Sequence, residues 1–216
     1  MIVRQRPVVL RLYPVAHHDE PSVPGLRAAS EAKLVERREL LDAAGIQRVL
    51  RRMAHEIVER NAGGPLVLVG IRSAGAPLSE RLLGLVLATG EAPTASRGVI
   101  DITLYRDDVF VGLPKPEVGK TELPGHSIAG KTVVLIDDVL YTGRTIRAAL
   151  DALMDYGRPR AVQLAVLIDR GHRELPIQPD YIGLTVQTAR DESVKVALTE
   201  LGAPVDRAVL RGKEIR

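Results

Sequence analysis

The stretch VVLIDDVLYTGRT, Val133–Thr145, decides how this chain is read. Val133, Val134, Leu135 and Ile136 form a short apolar run of buried-strand type. Asp137 and Asp138 stand where that run ends, and Thr142, Gly143, Arg144 and Thr145 make a small, hydroxyl-rich turn after it. From Ile146 to Tyr156 the apolar residues Ile146, Ala149, Leu150 and Leu153 recur at helical spacing. The order is strand, acidic pair, loop, helix. In open α/β sheets ligands bind beyond the carboxyl ends of the strands. A helix N-terminus offers unpaired N–H groups and a positive dipole end that suit a phosphate. Gly143 lets the backbone approach closely, and the Thr142 and Thr145 hydroxyls can donate to phosphate oxygens. The two carboxylates cannot face that phosphate as well. They suit sugar hydroxyls or a nearby magnesium ion. A sugar carrying a phosphate satisfies both halves.

The stretch is not a Walker loop, because GxxxxGKS/T is missing, nor a dinucleotide fingerprint, because GxGxxG is missing. The bulk properties are compatible with a small-molecule enzyme. A length of 216 residues suits one α/β domain, and 45% hydrophobic residues suffice for a packed core. The net charge is +3 and the isoelectric point about 9.3, which allows an anionic ligand or nucleic acid without requiring either. With no cysteine there is no disulfide, thiol nucleophile or cysteine-based zinc site, which fits a reducing cytoplasm. No apolar run reaches membrane-spanning length, and MIVRQRPVVLRLYP is no secretory signal. One Phe and no Trp argue against an aromatic platform for stacking bases.

Working outward, residues 1–38 are broken by Pro7, Pro14, Pro21 and Pro24 and read as a partly ordered arm ahead of a domain over 39–216. His17 and His18 belong to that polar arm rather than to a metal site. Asp42 can cap a helix over Ala43–Arg60 whose buried stripe is Ile46, Val49, Leu50, Met53, Ile57 and Val58. Arg48, Arg51, Arg52 and His55 share its other side. That stripe reads first as a solvated surface and second as a contact to an RNA backbone. Leu66–Ile71 is a buried strand leading into Arg72, Ser73, Ala74 and Gly75, whose successive N–H groups could cradle a diphosphate, although from the residues alone a plain strand-to-helix turn is the first reading. Val99–Leu104 reads as a strand. The Pro-rich segment from Tyr105 to Ala129 reads as a charged lid. Ala161–Ile168 is another buried strand, followed by the cationic turn Asp169–Arg173, and short strands begin at Tyr181, Val194 and Ala208. Alternating strands and helices predict a mostly parallel sheet flanked by helices.

Several motifs together resemble one family. DDVLYTGRT resembles the phosphoribosyl-diphosphate (PRPP) signature of type I phosphoribosyltransferases. With AHEIVERN, DITLYRDD, AVLIDRGHRELPI and DYIG, the chain from about Glu39 to Leu210 is similar to the PyrR family, the pyrimidine operon attenuation regulators with uracil phosphoribosyltransferase activity. The resemblance implies a type I phosphoribosyltransferase fold, a central parallel sheet with flanking helices and a small hood. It implies conversion of uracil and PRPP to UMP and diphosphate with magnesium. It further implies uridine-nucleotide-dependent (UMP or UTP) binding of pyr leader mRNA, and a homodimer or larger homo-oligomer in the cytoplasm.

It also implies residue roles. Asp137 and Asp138 hold the ribose hydroxyls, the PRPP or UMP site runs on through Val139, Leu140 and Tyr141, and Thr142, Gly143, Arg144 and Thr145 bind the 5′-phosphate. Arg72, Ser73, Ala74 and Gly75 take the diphosphate, Tyr105 opens the lid and Arg106 aids catalysis. Arg173 and the Ile182 backbone face uracil. Arg48, Arg51, Arg52 and His55, with Arg170 and His172, touch RNA. Where purine-using relatives carry a carboxylate base, this chain has Tyr141, too weak a base at neutral pH, so purines are disfavoured. Ala74 stands where the resemblance expects a basic residue, which weakens the expected grip on diphosphate. The alternative reading is a metabolic phosphoribosyltransferase without an RNA role, and a third is a binder without turnover.

Overall fold

The computed structural model describes residues 34–106 and 119–214. In chain order Leu34–Leu41 forms β1, Ala43–Arg60 α1, Leu66–Ile71 β2, Gly75–Ala88 α2, Ser96–Ile100 β3 and Thr132–Leu140 β4. Arg144–Met154 forms α3, Ala161–Asp169 β5, Tyr181–Thr185 β6, Ser193–Ala197 β7 and Arg207–Lys213 β8. Five strands pair in parallel in the order β3-β2-β4-β5-β6. A second, antiparallel sheet has the order β1-β8-β7 and supplies the small hood.

The parallel strands are apolar on both faces because both faces are covered. On one face Leu68, Val134, Ile136, Ala165 and Leu167 pack with Ile46, Met53 and Ile57 of α1 and Leu78 and Leu82 of α2. On the other, Val67, Val69, Val133, Leu135, Leu164 and Val166 pack with Ile146, Ala149 and Leu153 of α3. α1 starts at Asp42, whose Oδ1 accepts from the Gly45 amide at 2.6 Å, satisfying one of the first-turn donors. Arg81 of α2 ties down the hood, reaching Glu200 Oε2 and Asp206 Oδ2, each at 2.6 Å.

The topology places the site. β2 leads to β3 on one side, whereas β4, on its other side, leads to β5 and β6. The direction of winding reverses between β2 and β4, and a crevice opens at such a switch point. Both loops with phosphate-binding character, 72–75 and 141–145, leave the carboxyl ends of these two neighbouring strands.

Some boundaries differ from the sequence reading. β4 runs on through the acidic pair to Leu140, because Val139 and Leu140 pair with Ile168 and Asp169 of β5. β3 is Ser96–Ile100 rather than Val99–Leu104. Asp101 Oδ1 accepts from the Thr103 amide at 2.8 Å and turns the chain into a 3-10 turn, Thr103–Tyr105. Leu34–Arg38, assigned to the arm, lies in β1 and pairs with β8. The rest of the expected arm, with His17 and His18, lies outside the described residues, as do Asp107, Asp108 and Lys115 of the expected lid. The far end of that lid is built into the core: Glu122 bridges Val99 through two hydrogen bonds, and Leu123 and Ile128 are buried.

Candidate active site

A cleft of about 310 Å³ opens at the end of β4. Arg106, Asp137, Val139, Leu140, Tyr141, Thr142, Gly143, Arg144, Thr145 and Ile146 line it, so the loop, the first acid and the lid's opening cation meet there. Gly143 has φ 92°, in the left-handed region, and its hydrogen side meets Leu175 and Ile177. A glycine at this point turns the chain abruptly from strand to helix and leaves the first-turn amides of α3 facing the cleft end.

The diphosphate-type loop is held against the same strand by the absence of side chains. A Cβ on Gly75 would meet the Ile136 carbonyl oxygen at 2.2 Å, and one on Gly70 would meet the Gly75 carbonyl oxygen at 2.3 Å. The two glycines let α2 begin directly on β2 and β4, one residue before Asp137. The Arg72–Ser73 peptide is cis. Arg72 Nη2 donates to the Lys120 carbonyl at 2.8 Å, and Arg72 Nε lies 4.0 Å from Asp101 Oδ2. Ala74 is the residue before α2 and packs, half-buried, against the core.

Asp137 is 7% exposed, and the Asp138 amide donates to its Oδ1 at 3.0 Å. Burial pushes the Asp137 carboxyl well above the usual carboxylate range, and the neighbouring Asp138 charge pushes it further, while Arg106 pulls it down. Burial likewise raises Asp138. Both carboxyls are thus raised together, and a ligand that brings hydroxyl donors and counter-charge would favour their ionised forms. Tyr105 is anchored away from the pair: its hydroxyl bonds the Asp155 carboxylate on the far end of α3, and its carbonyl accepts from Arg147 at 3.2 Å.

The segment Asp169–Ile177 closes over the cradle. Amides of Glu174 and Leu175 donate to the Thr142 carbonyl at 3.0 and 3.2 Å. Arg173 pairs with Asp169 at 2.6 Å and donates to the carbonyls of Tyr141, Gly171 and Ile177 at 2.9 to 3.2 Å. The residue expected to face uracil is thus occupied in fixing the turn and the loop. Ile182 lies within β6, opposite Val166, and its carbonyl accepts from Arg52 Nη2 at 2.8 Å. Neither residue lines the cleft.

The expected RNA residues separate into two groups. Arg48, Arg51 and His55 are exposed on α1. Arg52 is also exposed but reaches back to the carbonyls of Ile182 and Gly183, both at 2.8 Å, covering the edge of β6. Arg170 is only 6% exposed and turns inward, bonded to Thr188 Oγ1 and to the carbonyls of Ala189 and Glu192. His172 Nε2 contacts the Thr188 carbonyl at 2.6 Å. Arg170 and His172, read as RNA contacts, fold back onto backbone carbonyls of the 188–192 segment, whereas Arg173 holds those of Tyr141, Gly171 and Ile177. That segment escaped sequence reading altogether because it has neither periodicity nor motif.

A parallel sheet with its switch point at an acid pair and an anion cradle is the architecture of the phosphoribosyl transferase domain, whose family model matches residues 36–201. The fold is similar to a hypoxanthine phosphoribosyltransferase from Staphylococcus aureus, with a TM-score of 0.57 at 22% identity over 83% of this chain and 93% of the other. It is also similar to a hypoxanthine-guanine phosphoribosyltransferase from Bacillus anthracis, with a TM-score of 0.60 at 17% identity over 82% and 99% of the two chains. In sequence the chain is 58% identical over 167 residues to the bifunctional protein PyrR of Pelotomaculum thermopropionicum, covering 77% of this chain and 91% of that one. It is 56% identical over 170 residues to the bifunctional protein PyrR of a Roseiflexus species, covering 78% and 92%. The chain belongs to the PyrR family within the phosphoribosyl transferase domain proteins.

Proposed function

We propose that this chain is a bifunctional regulator of pyrimidine biosynthesis: a uracil phosphoribosyltransferase that also binds pyr leader mRNA when uridine nucleotides are bound, causing transcription attenuation. The carrying observation is the cleft in which Asp137 and the Thr142–Thr145 cradle meet, in a chain 58% identical to a protein named bifunctional PyrR. It acts in the cytoplasm as a homodimer or larger homo-oligomer. No helix among the described residues is long and apolar enough to cross a membrane.

The amides of α3 and the hydroxyls of Thr142 and Thr145 hold the 5′-phosphate of PRPP, and Asp137 and Asp138 accept from the ribose hydroxyls. The 72–75 loop takes the diphosphate. As the bond from C1′ to diphosphate breaks, positive charge builds on the ribose, as in glycoside chemistry. The acid pair stabilises that charge, while Arg106 and Arg72 stabilise the departing diphosphate. Uracil gives up its N1 proton to solvent by its own acidity, and N1 forms the bond to C1′ as diphosphate leaves. Among the described residues no three acidic or histidine side chains cluster as a metal site. Asp137 and Asp138 are the carboxylates that would face a magnesium ion brought in by PRPP, and such an ion would neutralise diphosphate charge.

RNA contact falls to Arg48, Arg51 and His55 on the exposed side of α1. The metabolic alternative draws on Arg52, Arg170 and His172, which serve their own chain instead. A filter-binding titration of a uridine-rich hairpin leader, with and without UMP, separates the two. UMP-enhanced binding that weakens steeply with salt supports regulation. Binding indifferent to UMP, alongside UMP synthesis from uracil and PRPP, supports the metabolic enzyme.

A further inference from the structure

The cleft has a side chain with no assigned work. Tyr141 lines it at the end of β4, and among the described residues its hydroxyl has no hydrogen-bond partner, whereas its carbonyl is held by Arg173. The ring itself is not loose. The Arg170 guanidinium lies 4.0 Å from the ring centroid, over its face. The His172 ring meets it edge-on, at 5.9 Å between centroids. Arg170 is in turn fixed by Thr188 Oγ1 at 3.2 Å, the Ala189 carbonyl at 3.2 Å and the Glu192 carbonyl at 2.6 Å. A planar cation held by three acceptors against an aromatic face is a rigid wall, because each partner has lost its rotational freedom before any ligand arrives. The wall stands on the flank of the cleft where β5 ends, next to the 188–192 segment. Arg173 and Ile182 do not line the cleft, so the base of a bound nucleotide needs another polar reader.

We propose that the Tyr141 hydroxyl reads the base by hydrogen-bonding a pyrimidine carbonyl, and that Arg170 is a positioning residue that holds the Tyr141 ring for it. This rests on the cleft being a nucleotide site and names which group distinguishes a nucleotide from a bare sugar phosphate there.

The test is isothermal titration of the full chain with UMP and, separately, ribose 5-phosphate, which shares everything but the base. Wild type binds UMP the more tightly. Tyr141→Phe keeps the ring and its stacking and removes only the hydroxyl. It weakens UMP binding roughly tenfold, the value of one neutral hydrogen bond in a preorganised site, while ribose 5-phosphate binding stays the same. Arg170→Lys keeps the charge but cannot lie flat while reaching three acceptors. It loses UMP affinity to a similar extent, and the double variant loses no more than either alone, because both changes remove one interaction. A Tyr141→Phe variant that binds UMP within twofold of wild type overturns the reading of the base. Losses that multiply in the double variant overturn the positioning role. A wild type that binds neither ligand overturns the nucleotide site itself and this inference with it.

Discussion

Replacing Gly75 by Ala tests how the diphosphate loop is held to the acid pair. The added Cβ would sit 2.2 Å from the Ile136 carbonyl oxygen, 3.2 Å from the Ile136 carbonyl carbon and 3.4 Å from the Gly70 carbonyl carbon. All three are backbone atoms of central strands, so none can rotate aside. Relief requires the start of α2 to move about 1 Å away from β4, in a core packed as densely as a crystal. Forcing a methyl into such a place costs about 1–3 kcal/mol, and a backbone neighbour puts this case at the upper end. The urea unfolding midpoint of Gly75→Ala should fall accordingly. The same movement withdraws the 72–75 loop from Asp137, so KM for PRPP should rise about tenfold, while UMP, which has no diphosphate, keeps most of its affinity. Gly84→Ala is the control in the same helix: nothing lies within 4 Å of its Cβ, and it should stabilise by up to about 1 kcal/mol from helix propensity. A Gly75→Ala protein with wild-type unfolding midpoint and PRPP KM would show that the close approach does not hold the loop.

Asp138→Asn should lower UMP formation at least tenfold with circular dichroism unchanged; unaltered turnover would remove the pair from the mechanism. The same change should move the acid limb of UMP binding to lower pH, because the Asp138 charge is one of the causes raising Asp137. Both carboxyls are raised in the folded state, so their stabilising contribution is present below the unfolded value near 3.8 and is lost as pH climbs through the folded values. Urea midpoints should therefore show ligand-free Asp138→Asn to be the more stable protein at neutral pH, with the advantage vanishing in acid. Arg81→Met should loosen the hood. Hydrogen bonds from Arg81 are the largest cause holding Glu200 and Asp206 below their ordinary values, so wild type should lose stability as pH falls below about 4.5 and the variant should lose less. Arg51→Ala should weaken leader RNA binding and reduce its salt dependence without altering the thermal midpoint. Arg52→Ala should instead lower stability by about 1–2 kcal/mol, since two β6 carbonyls lose a charged donor.

Local pattern alone determined a good deal here. Apolar runs bounded by turn residues located β2, β4 and β5, because a strand buried on both faces has no room for polar residues. The Asp42 cap and its 3.6-residue stripe located α1, since capping and periodicity are properties of neighbouring residues. The acid pair and cradle were legible because sugar and phosphate chemistry needs those groups in close succession. What long side chains reach for is set by atoms far away in sequence, and there tertiary structure decided. Arg52 spans 130 residues to a carbonyl of β6, Arg81 spans 119 to Glu200, and Arg170 folds inward over Tyr141. A guanidinium reads as an exposed cation in any one-dimensional pattern, yet the fold brings carbonyl and carboxylate oxygens within its reach and gives it fixed partners in place of water. The order of strands about the switch point is likewise absent from any local stretch. It alone sets the 72–75 loop beside Asp137, through a contact so close that only glycines allow it.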